Sequence, residues 1–130
     1  MKKILILALV LSGLFIINSC AVASDDNSDV IEKFFGTWSV NDQASRLNYT
    51  VTIKANPSNS AEVLLTNFAD LGTTAVGLVV GSSVVIDTQS LGSEYTVSGS
   101  GSYINSNKLE FVFQLNDGID IESRKATFTK

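Results

Sequence analysis

Three tyrosines, Tyr49, Tyr95 and Tyr103, are the side chains of this sequence best suited to meeting a small molecule. Each joins an apolar ring to a hydroxyl, and ligand pockets combine apolar walls with a few polar groups. The same build suits a ring at the edge of a core with its hydroxyl in water. The tyrosines therefore become a binding set where the fold gathers them around a hollow. Other chemistry is poorly provided for. The chain has no histidine, which removes the usual general base, the usual pH switch and the commonest zinc ligand. Ser98, Ser100 and Ser102 share the outward phase of one strand, and no histidine is present to activate them. Asn116-Asp117-Gly118 followed by Asp120 and Glu122 looks like part of a calcium loop, but it lacks the EF-hand spacing with its closing Glu. A solvated acidic face is the simpler reading. No Asp or Glu is expected at a clearly inward position, so paired carboxylates for glycoside hydrolysis are not expected either. The chain reads as a non-enzyme with no cofactor and no metal site.

The elements that must position those tyrosines are strands. Leu47, Tyr49, Val51 and Ile53 alternate with Asn48, Thr50, Thr52 and Lys54, the period of a half-buried strand. Asn56-Pro57-Ser58-Asn59-Ser60 is turn chemistry and holds the one proline. Further runs are expected over 62–68, 74–80, 83–88, 94–104 and 109–115, with a last one over 119–129. Asn116-Asp117-Gly118 is a hairpin signal, because Asp-Gly accepts the positive φ of a type I′ turn. With a first strand over 36–40, about eight short strands result, joined by short turns and therefore paired antiparallel. A single helical turn is expected between residues 29 and 35. The predicted fold is all-β, an eight-stranded antiparallel up-and-down meander that closes into a barrel and so removes its edges. A sandwich is the alternative. Tyr49, Val63, Leu65, Val84, Ile86, Tyr95, Val97, Leu109, Phe111 and Phe113 form the expected inward set. Gly99 and Gly101 lie together on one face of a long strand, where glycine marks strand coiling at a barrel corner or a gap that admits a ligand.

A leader precedes this domain. Lys2 and Lys3 form a positive start, and residues 4–17 form an apolar run of signal-peptide length. The run is shorter than the roughly 20 apolar residues a membrane span needs. Ile17-Asn18-Ser19-Cys20 resembles the bacterial lipobox, with an aliphatic residue, a small residue and then the acylated Cys. The resemblance implies cleavage before Cys20 and lipidation of its thiol. A plain secretory leader cut near Ala21-Val22-Ala23 is the competing reading. Cys20 is the single cysteine, so acylation leaves no thiol for disulfides, thiol catalysis or metal ligation. Each acyl CH₂ contributes about 0.8 kcal/mol of membrane affinity, and several chains anchor a protein stably. Residues 20–29 then form an acidic, flexible tether. Ser24-Asp25-Asp26 resembles the surface-export signal of Bacteroidetes-type lipoproteins, which implies an outer-membrane, surface-exposed protein. The expected organisation is a signal peptide over 1–19, the lipidated tether over 20–29 and the barrel over 30–130. About 100 residues suit one domain with one core. The formal charge is −4, and losing Lys2 and Lys3 takes it to −6. An acidic surface excludes nucleic acid as a natural partner.

Gly36-x-Trp38 on the first strand of such a meander resembles the lipocalin and calycin signature. The resemblance implies that an Arg on the last strand packs across the Trp and closes the barrel's end. Arg124 is the Arg of that strand, in phase with Ala126 and Phe128, and a stacked pair of this kind contributes about 0.5–2 kcal/mol. The region from Phe34 to Lys130 also resembles a small lipocalin-like domain of Bacteroidetes lipoproteins. Leu65-Thr66-Asn67-Phe68, Leu71-Gly72, Val97-Ser98-Gly99-Ser100-Gly101 and the closing Ala126-Thr127-Phe128-Thr129-Lys130 carry that likeness.

Two functions remain open on the sequence. The first is a lipid-anchored binding module that holds a small apolar or amphipathic ligand at the barrel mouth. The second is an interaction or structural lipoprotein with a packed barrel, contacting another envelope protein or a host protein, with inhibition as one such role. A hollow of several hundred Å³ favours the first. A filled core with an exposed apolar loop patch favours the second, and residues 67–72 are the best apolar loop for it.

Overall fold

The computed structural model describes residues 30–43 and 47–130, and the barrel belongs to the compact body Ile31–Lys130. Cys20, the leader and the tether lie outside the described residues. Eight strands follow in order: β1 (Gly36–Asp42), β2 (Leu47–Asn56), β3 (Asn59–Thr66), β4 (Thr74–Val80), β5 (Ser83–Leu91), β6 (Tyr95–Asn105), β7 (Lys108–Asn116) and β8 (Ile121–Thr129). Each pairs antiparallel with its neighbour in sequence. The pairing of β1 with β8, Val40 opposite Phe128 and Asp42 opposite Ala126, closes the ring. The fold is a closed, up-and-down antiparallel barrel, as the alternation predicts.

The inward faces are packed. Trp38 and Val40 of β1, Val51 and Ile53 of β2, Val63 and Leu65 of β3, and Val84 and Ile86 of β5 are buried. So are Leu109, Phe111 and Phe113 of β7 and Phe128 of β8. The phase of period two accounts for all of these. The glycines answer the question their spacing raises. A Cβ on Gly101 would collide with the ring of Phe111, and one on Gly99 with the Val112 carbonyl and with Cα and Cβ of Phe113 across the β6–β7 pair. The space they open is occupied by phenylalanine.

The ends of the barrel differ. At one end, here the base, residues 31–35 make a turn, with the amides of Phe34 and Phe35 donating to the carbonyls of Ile31 and Glu32. Trp38 Nε1 donates to the Phe34 carbonyl at 3.0 Å. Lys130 Nζ lies 4.3 Å from the centre of the Trp38 ring and donates to the Phe35 carbonyl at 2.7 Å. Gly36, at φ 131°, leaves the room for this, since a Cβ there would stand 2.8 Å from Lys130 Nζ. Replacing Lys130 with Met is expected to cost about 1 kcal/mol, the sum of a modest cation–π contact and one exposed hydrogen bond. Denaturant unfolding followed by Trp38 fluorescence measures it, and an unchanged midpoint would show that the ammonium adds nothing.

At the opposite end, the mouth, the β3–β4 connection folds into the barrel. The strand expected over 62–68 stops at Thr66, because Asn67 turns left-handed (φ 66°). Ala69 and Asp70 are also left-handed, at φ 58° and 61°, a conformation that costs an L residue roughly 1–2 kcal/mol. Asn67 holds the loop: its side chain donates to the Thr50 carbonyl and accepts from the Gly72 amide, both at 2.9 Å. The gain is a buried Phe68, whose ring sits 4.8 Å from that of Phe113 and 5.9 Å from that of Phe111. Residues 67–72 are the apolar loop that the sequence offers as the candidate for an exposed patch. Phe68 and Ala69 instead point inward and complete the core.

One seam is thin. β4 pairs with β5 from Leu78–Val85 to Val80–Ser83 and then diverges. The Gln89 side chain bridges the gap, accepting from the Val76 amide at 2.8 Å and donating to the Val76 carbonyl at 2.9 Å. A register shift between Ile86 and Gln89 frees that side chain, and it carries β5 on to Leu91, past its expected end at 88.

Candidate functional site

The mouth holds the one buried charged side chain among the described residues, Asp42, which has no exposed surface. It continues the inward phase of Trp38 and Val40 by one more step. This corrects the expectation that no carboxylate falls inward. Its burial follows from its partners. Tyr49, opposite Val40 on β2, donates its hydroxyl to Asp42 Oδ2 at 3.2 Å. Arg124 Nη1 donates to the same oxygen at 3.3 Å, and Arg124 Nε donates to Glu122 at 3.2 Å. Burial of a carboxylate is tolerated when it is paired and hydrogen-bonded in this way.

The expected Trp38–Arg124 pair is therefore divided between the two ends of the barrel. Arg124 has the inward phase assigned to it, but β8 runs antiparallel to β1, so Arg124 lies past the Asp42 end while Trp38 lies toward the base. The cation over Trp38 is that of Lys130.

The three tyrosines separate in the same way. Tyr103 is at the base, edge-on to Phe34 with ring centres 5.9 Å apart, and Lys33 Nζ is 4.8 Å from its ring centre. Tyr49 is at the mouth, with its hydroxyl committed to Asp42. Burial, reinforced by the Asp42 charge and by the hydrogen bond given to Asp42, pushes the Tyr49 phenol well above its ordinary range. Folded, Tyr49 keeps its proton where the unfolded chain loses it, so its contribution is complete below about pH 10 and is lost as pH rises through the folded value. Tyr49→Phe is expected to remove that alkaline slope. Urea titrations of both proteins between about pH 9 and 11 check it, and parallel slopes would contradict it.

Tyr49 also borders a cleft of about 490 Å³ on the β1–β2 face with Ser39, Asn41, Asn48 and Thr129, and Tyr95 is the tyrosine that lines a cavity at the mouth. It lines a cavity of about 410 Å³ at the mouth together with Leu71, Leu115 and Ile121 on the apolar side. Asp117, Asp120, Glu122 and Arg124 form the polar side. A smaller cavity of about 240 Å³ shares Leu71 and Tyr95 and is completed by Thr73, Leu91, Gly92, Ser93 and Glu94. Thr73 Oγ1 has no hydrogen-bond partner, but it is turned away from the cavity and has no accessible surface. Asp117 accepts from the backbone amides of Ile119 and Asp120, which lowers its pKa and holds it ionised. Ser98, Ser100 and Ser102 occupy the outward phase of β6, away from this site. Asp42, Leu71 and Thr73 were missed in the sequence. Asp42 was legible as the next step of the β1 alternation, whereas Leu71 and Thr73 belong to a loop with no period.

No protein family, no curated protein and no solved structure matches this chain.

Proposed function

We propose that this chain is a lipid-anchored, lipocalin-like barrel of the bacterial outer membrane that binds a small amphipathic ligand at its mouth without catalysis. The observation that carries the reading is the cavity of about 410 Å³ between Tyr95, Leu71, Leu115 and Ile121 on one side and Arg124 and three carboxylates on the other. Its size and its mixture of apolar wall and few polar groups are those of small-molecule sites. The aromatic interior makes the site a mouth cleft rather than a deep cup. The test is titration of the full chain, carried in phosphatidylcholine nanodiscs, with phenylbutanol while backbone amide shifts are read. Saturable shifts at Leu71, Tyr95, Leu115 and Ile121 are expected. Shifts absent from these four would overturn the reading. The anchor is tested separately. Cys20→Ser is expected to abolish incorporation of an alkyne-bearing fatty acid in cells, and retained label would refute lipidation at Cys20.

A second reading, a packed barrel that contacts another envelope or host protein, is favoured by Ile119 and Ile121. They are 89% and 65% exposed at the β7–β8 turn, an apolar pair with nothing on it. A mouth that takes no probe would leave this reading in place of the first.

A further inference from the structure

We propose that the mouth cleft selects an organic cation on an apolar body, an ammonium group carrying a short hydrocarbon or aromatic tail. The inference rests on the cleft being a ligand site and names the ligand's chemistry. Charge is the first ground. Asp117, Asp120 and Glu122 line the larger cavity and Glu94 the smaller. The single cation among the lining residues, Arg124, is already shared between Asp42 and Glu122. Arg124 and its two partners together leave one negative charge, and the other three carboxylates add to it. A cleft of one sign with apolar walls concentrates the opposite charge.

Shape is an independent ground. Among the described residues no three acidic side chains converge where a metal ion would sit, so the field is spread along the cleft. A spread field suits a bulky monovalent cation better than a small divalent one, which requires convergent oxygens. Leu71, Leu115 and Ile121 supply a wall for the tail. The Tyr95 ring, shared by both cavities, offers a face to an ammonium group.

Three probes with one tail separate the terms: phenylbutylammonium, phenylbutanol and phenylbutyrate, each titrated into the full chain in phosphatidylcholine nanodiscs and read at the amides of Leu71, Thr73, Tyr95 and Ile121. The ammonium is expected to bind about tenfold or more tighter than the carboxylate, with the alcohol between, and the ratio is expected to shrink as salt rises. Glu94→Gln combined with Asp120→Asn, both exposed, is expected to bring the three probes together. Equal binding of all three to the unaltered chain, or tightest binding of the carboxylate, would overturn the cation preference and leave the cleft standing as a ligand site. No saturable shift with any probe would overturn the cleft itself.

Discussion

Phe68→Ala is expected to destabilise the barrel by about 3–5 kcal/mol, the range for removing a fully buried aromatic ring. Phe68 is 1% exposed although it belongs to a loop. Its ring contacts Phe113 and Phe111, and Phe111 in turn stacks on Phe128 at 4.5 Å. Those neighbours stand on β7 and β8, whose pairing is continuous from Lys108–Thr129 to Asn116–Ile121. They cannot collapse into the space the ring would vacate, so the cavity term adds to the lost transfer energy. The loop's left-handed residues increase the effect. Asn67, Ala69 and Asp70 hold a costly backbone in order to aim this side chain, and without the ring the reason for that conformation is gone. Denaturant unfolding measures the loss. Phe68→Leu, which keeps most of the volume, is expected to cost less than half as much. A loss under about 1 kcal/mol for Phe68→Ala, the value of an ordinary surface change, would mean that the loop does not plug the barrel.

Arg124→Met is the second large effect, expected at about 3–5 kcal/mol because it takes a cationic partner from a buried carboxylate. Asp42 has no exposed surface and the Arg124 side chain is 12% exposed, so water does not substitute for the lost guanidinium. Tyr49 would remain as a donor to the same oxygen, but a phenol offers one hydrogen bond and no charge. Most of the expected cost belongs to the weaker compensation of the buried Asp42 charge rather than to the attraction lost. The double variant Arg124→Met with Asp42→Asn is therefore expected to recover much of the stability that Arg124→Met loses. A single-variant cost below about 1 kcal/mol, as for a solvated ion pair, would contradict this account, and so would a double variant no better than the single.

The strands were legible because period two is a local property. Residues of β2 and β7 alternate so regularly that their buried faces, Val51 and Ile53 in one and Leu109, Phe111 and Phe113 in the other, follow from the phase alone. Phase does not give height along the barrel axis. Arg124 was placed on the inward face, yet its distance from Trp38 depends on the β1–β8 register, which no local pattern encodes. The three tyrosines met the same limit, since Tyr95 and Tyr103 share β6 and point to opposite ends. Loops were the other gap. An apolar loop residue reads as exposed until the barrel interior is known to have room for it, and the room for Phe68 is set by residues more than a strand away. The mouth cleft, built from three connections and the ends of their strands, was hidden for both reasons.

The Gln89 bridge gives the ring a direction of weakness. A closed barrel bears load around its circumference, and a hoop parts where its link is slightest. Between β4 and β5 the backbone ladder covers the base-side half, and one amide side chain joins the rest. A side chain changes rotamer on a timescale on which a strand pair does not separate. Thermal breathing of this barrel is thus directed to one side. β6, β7 and β8 are joined by long ladders, so opening is expected between β4 and β5, about their base-side pairs. The Thr74 end of β4 follows the loop that carries Phe68, Leu71 and Thr73, so opening of this seam is expected to alter the width of the mouth.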